Sequence, residues 1–141
     1  MNERQLVVDA SVAVKLVVPE HDTPVADAVL RAHRHGLIAP DLMLAECANV
    51  IGRAARRRDV EEHEAIGGME ELQSSVLKFH PADMLVSHAL QLALVLRHPA
   101  YDCFYLALAL QLDCRLLTAD ERFATRAIDY KGHIWLLGDP G

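Results

Sequence analysis

Short apolar runs alternate with longer segments in which apolar residues recur every three or four positions. The first run, within Arg4–Asp9, is Leu6-Val7-Val8, and it stops at an acid. Too short for helical periodicity and rich in β-formers, it reads as a buried strand. Ser11–Val18 resembles a strand by composition, but Ser11 can cap it and Pro19 stops it, so a short helix is expected. Thr23-Pro24 sets a cap before a proline at the first helical position and opens a helix to His35, ended by Gly36. Leu37-Ile38-Ala39 is a second strand, after which Asp41 caps a long helix to about Arg58. Val60–Ser74 is helical but weakened by Gly67-Gly68, and Val76–Phe79 is a strand candidate. Asp83–Arg97 carries Leu85, Ala89, Leu92, Ala93 and Leu96 on one helical face. Pro99 opens a further helix to about Leu112, followed by a strand at Arg115–Thr118, a short helix at Asp120–Ala127 and a last strand at His133–Leu137.

Short apolar strands separated by helices predict an α/β protein: a three-layer α/β/α sandwich around a mostly parallel sheet of four to five strands. A chain of 141 residues without a repeat or linker suits one domain over residues 1–141. The longest apolar run, Cys103–Leu110, falls far short of the roughly 18 residues a membrane span needs. The N-terminal apolar stretch is also too short for a signal peptide. Cys47, Cys103 and Cys114 are an odd number with no Cys-x-x-Cys spacing. They read as reduced, buried thiols of a cytoplasmic protein.

Twenty acids against fourteen bases give a net charge of −6. That excludes a protein that simply coats nucleic acid, which needs excess Lys and Arg, but not a nucleic-acid enzyme that uses metal ions. In parallel sheets ligands bind beyond the carboxyl ends of the strands. Two strands here run into an acid at that edge, Asp9 and Asp120. Two helices add Glu46 and Asp102. With Glu46 at 0° on its helix, Asn49, Arg53 and Arg57 fall at about 300°, 340° and 20°, a polar stripe broken by Val50 and Met43. Asp102 begins a helix apolar nearly all round, where an acid is costly unless something positive meets it.

Each acid also has a plainer role. Asp9 can cap the turn at Ala10-Ser11. Thr118 and Glu121 fit a capping box, leaving Asp120 to favour the helix dipole, as Asp102 can after Pro99. Glu46 can pair with Arg53 or lie beside Asn49. Gathered together, however, four carboxylates about 5.5 Å apart repel by roughly 18 kcal/mol at an effective dielectric of about 20. Such a cluster recruits cations or takes up protons. An all-oxygen set selects hard ions, Mg²⁺ or Mn²⁺. Those ions suit phosphodiester cleavage, one activating a water and a second stabilising the leaving oxygen.

Four segments carry a family resemblance: Leu6-Val7-Val8-Asp9-Ala10-Ser11-Val12; Ala39-Pro40 with Leu44-Ala45-Glu46-Cys47-Ala48-Asn49-Val50; Tyr101-Asp102-Cys103-Phe104-Tyr105-Leu106-Ala107-Leu108-Ala109; and Leu117-Thr118-Ala119-Asp120-Glu121-Arg122-Phe123. In this order, from Leu6 to about Trp135, the chain resembles the PIN domain, and more narrowly the VapC-type toxins of bacterial and archaeal toxin–antitoxin pairs. The resemblance implies a Mg²⁺- or Mn²⁺-dependent endoribonuclease with Asp9, Glu46, Asp102 and Asp120 as its acidic cluster. Asp9 and Asp102 are then the foremost metal ligands, with Glu46 and Asp120 completing the set directly or through water. Ser11 and Thr118 resemble the hydroxyls that orient the first acid, and Asn49 follows the Glu-x-x-Asn pattern as a supporting residue. A cognate VapB-like antitoxin, whose C-terminal segment blocks the site, and homodimerisation are implied as well. The third motif departs from the pattern in its lead-in, His98-Pro99-Ala100, where relatives often carry a more apolar one.

Arg53, Arg56, Arg57 and Arg58 form the one dense basic run. Arg53 and Arg57, on the Glu46 stripe, are candidates to hold an RNA backbone; a solvated helix end is the plainer reading. Lys15 reads as a surface lysine. The eight histidines are scattered, with no zinc pattern and no pairing to support a histidine base. Cys47 and Cys103 read as buried filler, and Tyr101 and Tyr105 as core or dimer-interface residues. Two other functions remain open: a non-catalytic PIN-like interaction module, and a receiver-like Mg²⁺-dependent phosphotransfer domain. The second needs a lysine after the last strand, where only Gly138-Asp139-Pro140-Gly141 follows.

Overall fold

In a computed structural model describing residues 1–141, Leu6–Val8 (β1) is the middle strand of a five-stranded sheet. All three of its side chains are buried, as expected for an apolar strand covered on both faces. Leu37–Pro40 (β2) and Lys78–His80 (β3) extend the sheet on one side, and Arg115–Thr118 (β4) and Ile134–Leu136 (β5) on the other. Every pairing is parallel, giving the order β3-β2-β1-β4-β5. The chain winds outward from β1 to β3 and then crosses back to β4. The order therefore reverses between β1 and β4, where an open parallel sheet leaves a crevice at its carboxyl edge. A receiver-like domain has a different order, with the reversal between its first and third strands.

Seven helices flank the sheet: α1 (Ala10–Ala13), α2 (Thr23–Ala32), α3 (Leu42–Arg56), α4 (Glu62–Ser75), α5 (Val86–Leu96), α6 (Ala100–Leu112) and α7 (Glu121–Arg126). The expected short helix after Asp9 is α1 followed by a 3-10 turn at Val14–Leu16. Helix α6, which has more buried residues than any other helix, packs on β1, β2 and β4. Six of its residues are buried: Cys103, Tyr105, Leu106, Ala107, Leu108 and Ala109. A single cluster of 38 buried residues runs from Leu6 to Trp135. All three cysteines are free and buried, and no helix is long and apolar enough to cross a membrane.

Several local expectations are corrected. Thr23 does not cap α2: its Oγ1 accepts from the Glu20 amide and donates to the Lys15 carbonyl. Asp41 does not cap α3 with its side chain but reaches across to the Ala82 amide at 3.0 Å, tying β2 to the segment after β3. Lys15 is not a surface lysine. It is buried, with Nζ 2.9 Å from both Glu20 and Asp22, so it braces the turn before α2 and is not free to meet a phosphate.

Gly67 and Gly68 lie together within α4, yet only one is required there. A Cβ on Gly68 would sit 2.6 Å from Val17 Cγ1, whereas Gly67 faces open space. Gly67→Ala is expected to stabilise the protein by about 1 kcal/mol through helix propensity. Gly68→Ala is expected to destabilise it by about 1–2 kcal/mol, because overpacking outweighs that gain. Thermal unfolding of the two variants checks this; shifts of the same sign would contradict the packing of α4 on Val17.

Candidate active site

Asp9 directly follows β1 and stands at the sequence start of α1 in an extended conformation. Its carbonyl accepts the Val12 and Ala13 amides, but its carboxylate caps nothing. Oδ2 accepts instead from Ser11 Oγ at 2.6 Å and from Thr118 Oγ1 at 2.9 Å. Sheet register sets this up: Val8 pairs with Leu117, and the Asp9 amide donates to the Leu117 carbonyl. Ser11 Oγ in turn accepts from the Ala119 amide at 3.1 Å. The two hydroxyls thus hold one carboxylate oxygen across the β1–β4 crevice and leave Oδ1 without a protein partner.

Asp120 reaches the same edge from β4. Its amide donates to Thr118 Oγ1 at 3.1 Å, and its own Oδ1 accepts the Phe123 amide at 3.0 Å. Asp120 therefore caps α7, and the capping box beginning at Thr118 is not formed; Thr118 is buried and points to Asp9. Asp102 lies in the first turn of α6, and Glu46 one turn into α3. Both are half-buried.

Two residues to which the sequence assigns no role in the site complete the arrangement. Tyr105 is fully buried and donates its hydroxyl to Glu46 Oε1 at 2.6 Å. His98 places Nε2 2.6 Å from Asp102 Oδ2, with its side chain only 6% exposed. Both lie within a helical turn of Asp102, at i+3 and i−4 (spacings that put side chains on one face). That spacing was the available signal. It was hidden for His98 because the residue precedes Pro99 and so lies before the helix begins.

Asn49 is not brought to the acids. It is exposed and hydrogen-bonds none of them, although its i+3 spacing puts it on the same side of α3 as Glu46. Arg53 and Arg57 are exposed as well. At 1.5 Å per residue they trail Glu46 by about 10 and 16 Å along α3.

The electrostatics are those of crowded, under-compensated acids. Burial pushes Asp9 up to about 7; the Ser11 and Thr118 hydroxyls pull the other way, and Asp102 and Glu46 add to the rise. Burial also raises Glu46 against the pull of Tyr105, with Asp102 adding to it. Asp102 is raised by burial, opposed by the hydrogen bond from His98 and reinforced by Asp120. None of the ion pairs joins a lysine or arginine to any of the four acids. An oxygen-rich donor set that lacks an internal counter-charge fits a hard divalent cation. Burial, and then the neighbouring acids, push the Cys47 thiol to about 12 and the Cys103 thiol to about 11, so neither is a nucleophile.

The native state holds a proton on Asp9 between about pH 4 and pH 7, where the unfolded chain has released it. Stability of the metal-free protein therefore falls as pH rises through that window. Asp9→Asn, whose amide oxygen can still accept from both hydroxyls, is expected to stabilise the EDTA-treated protein at about pH 8 by up to roughly 4 kcal/mol. At about pH 4 the gain should largely vanish. Urea denaturation at the two pH values tests this; an equal effect at both would mean the buried carboxylate carries no ionisation cost.

Comparison with known proteins agrees with this geometry. The PIN domain description matches residues 6–128, a span that contains all four acids. The chain is 38% identical over 125 residues to Ribonuclease VapC3 of Pyrobaculum aerophilum, covering 86% of this chain and 94% of that protein. Its fold matches the crystal structure of PAE2754 from Pyrobaculum aerophilum with a TM-score of 0.69, covering 92% of this chain and 82% of that one at 24% identity. The parallel sheet with flanking helices, the acids at its carboxyl edge and these two sequence matches lead to one assignment: the chain belongs to the PIN domain family.

Proposed function

We propose that this chain is a Mg²⁺- or Mn²⁺-dependent endoribonuclease, the toxin of a type II toxin–antitoxin pair, which hydrolyses RNA phosphodiester bonds. One observation carries the reading: carboxylates from four separate segments meet at the sheet edge with no lysine or arginine to offset them. Membership of the PIN family, and a relative that bears the name ribonuclease, supply the reaction class.

Asp9, Glu46, Asp102 and Asp120 would hold the cation. When bound, a hard divalent ion supplies Lewis acidity toward water and the phosphate. The chain's own residues fix the geometry that this chemistry needs. Ser11 and Thr118 immobilise Oδ2 of Asp9 and present Oδ1. Tyr105 fixes Glu46 from inside the core, and burial holds its phenol in the protonated, donating form. Preorganisation of this kind spares the reorganisation that flexible ligands require. Asp120 keeps one oxygen on its cap and has the other free to face the cluster.

Arg53 and Arg57 would meet the RNA backbone beyond the scissile bond, since they lie along α3 from Glu46 and carry no competing ion pair. Cations placed there also draw a polyanion toward a protein of net charge −6. The VapB-like antitoxin is the partner that would cover the acids. For the homodimer, α5 offers Val86, Leu90 and Leu94, one turn apart and exposed on one face.

RNA cleavage with added Mn²⁺ tests the reading. Asp9→Asn and Asp102→Asn are each expected to lower the rate at least about 100-fold, and EDTA to abolish it. Tyr105→Phe should lower it about tenfold with the fold intact, since it frees Glu46 without removing a ligand. Cleavage that persists in EDTA would overturn the metal-dependent assignment. Wild type and Asp9→Asn that are equally inert would point to an interaction module.

A further inference from the structure

His98 is held too firmly, and too close to the acids, to be surface decoration. Arg97, in the left-handed conformation at φ 52°, ends α5, and the His98 amide returns to the Ala93 carbonyl at 3.1 Å. Pro99 then starts α6 at once. The imidazole packs on Phe123, with ring centroids 4.9 Å apart. Phe123 belongs to α7, whose first turn Asp120 caps. Arg126 of the same helix donates to the Arg97 carbonyl at 2.9 Å and so clamps α7 to the α5–α6 turn. One small assembly thus fixes an imidazole and two carboxylates relative to one another.

The donor atoms of His98, Asp102 and Asp120 all lie within 4.8 Å of one another. Around a hexacoordinate ion with bonds of about 2.1 Å, neighbouring donors sit roughly 3 Å apart and opposite donors roughly 4 Å. The three are therefore already near coordination spacing, and small side-chain rotations close the remainder. Of these, His98 Nε2 and Asp102 Oδ2 stand 2.6 Å apart. A nitrogen donor among oxygens also changes the ion preferred. Mg²⁺ takes imidazole poorly, whereas the first-row divalent metals accept it, Mn²⁺ the most weakly among them.

We propose that His98, Asp102 and Asp120 form a mixed nitrogen–oxygen metal subsite on the α6–α7 side of the acidic cluster, and that His98 biases it toward Mn²⁺ over Mg²⁺. This rests on the reading of the acids as cation ligands. It adds a ligand that an all-carboxylate site lacks.

Mn²⁺ alone is the probe, added to the full chain. Pulsed electron paramagnetic resonance of the bound ion should show nitrogen coupling in the wild type and none in His98→Gln, which can still hydrogen-bond Asp102. By calorimetry, His98→Gln should weaken Mn²⁺ binding about tenfold or more while changing Mg²⁺ binding less than about threefold. Mn²⁺ bound with no nitrogen coupling would overturn the subsite and leave the metal-dependent nuclease standing, with His98 only orienting Asp102. No Mn²⁺ binding at all would overturn both. If His98→Gln loses its fold, the wild type labelled with ¹⁵N at histidine carries the test: the nitrogen coupling of bound Mn²⁺ should change with the isotope, and a spectrum that does not change would contradict the subsite.

Discussion

Like charges brought together where little water and no internal cation can relieve them set the character of this molecule. Asp9 is the centre of that constraint. Its carboxylate is buried, held by two hydroxyls from different segments, and raised to about 7 by burial with Asp102 and Glu46 adding to the rise. A structural carboxylate would have been given a cation or exchanged for an amide. Here the fold spends hydrogen bonds on keeping the oxygen in place and leaves the charge unanswered. Strain of that kind persists where function uses it.

The topology explains why the acids meet. Strand order reverses between β1 and β4, so the segments leaving these neighbours diverge, one into α1 and the other into α7. Asp9 and Asp120 stand at the mouths of those segments, joined through the single hydroxyl of Thr118. The α6 helix packs across β1, β2 and β4 and delivers Asp102 from its first turn. Tyr105, one turn on, reaches back into the core to hold Glu46 of α3. Asp9 and Asp120 leave strands that the parallel sheet fixes, while Asp102 and Tyr105 come from a helix packed on that sheet and Glu46 from the helix Tyr105 reaches.

Much of this was legible in the chain. Strands such as Leu6-Val7-Val8 and Arg115–Thr118 are short, apolar and bounded, and they appear where periodicity placed them. The acids were readable because each interrupts an apolar segment, where a charge needs a reason. Caps were less legible. Thr23, Asp41 and Thr118 all carry the right side chain before a helix, yet each is claimed by another partner: Lys15, eight residues back, for Thr23, and the distant Ala82 and Asp9 for the other two. Lys15 failed for the same reason, since Glu20 and Asp22 fold back over it. The contacts of Tyr105 and His98 with the acids are not legible in the sequence, because they depend on what lies opposite. A tyrosine in an apolar helix looks like core until its hydroxyl is found on Glu46, and a histidine before a proline looks like a loop until α7 closes on it. Asn49 shows the converse, a residue in the right motif that is exposed and hydrogen-bonds none of the acids.

The proposed role of these carboxylates as a cation site is tested most directly by locating a bound ion. Crystals of the wild-type chain grown with Mn²⁺ and measured above the manganese absorption edge are predicted to show an anomalous peak within coordination distance of Asp9 and Asp102. Ordered crystals with no peak among the four acids, at Mn²⁺ concentrations that saturate other sites on the protein, would contradict it.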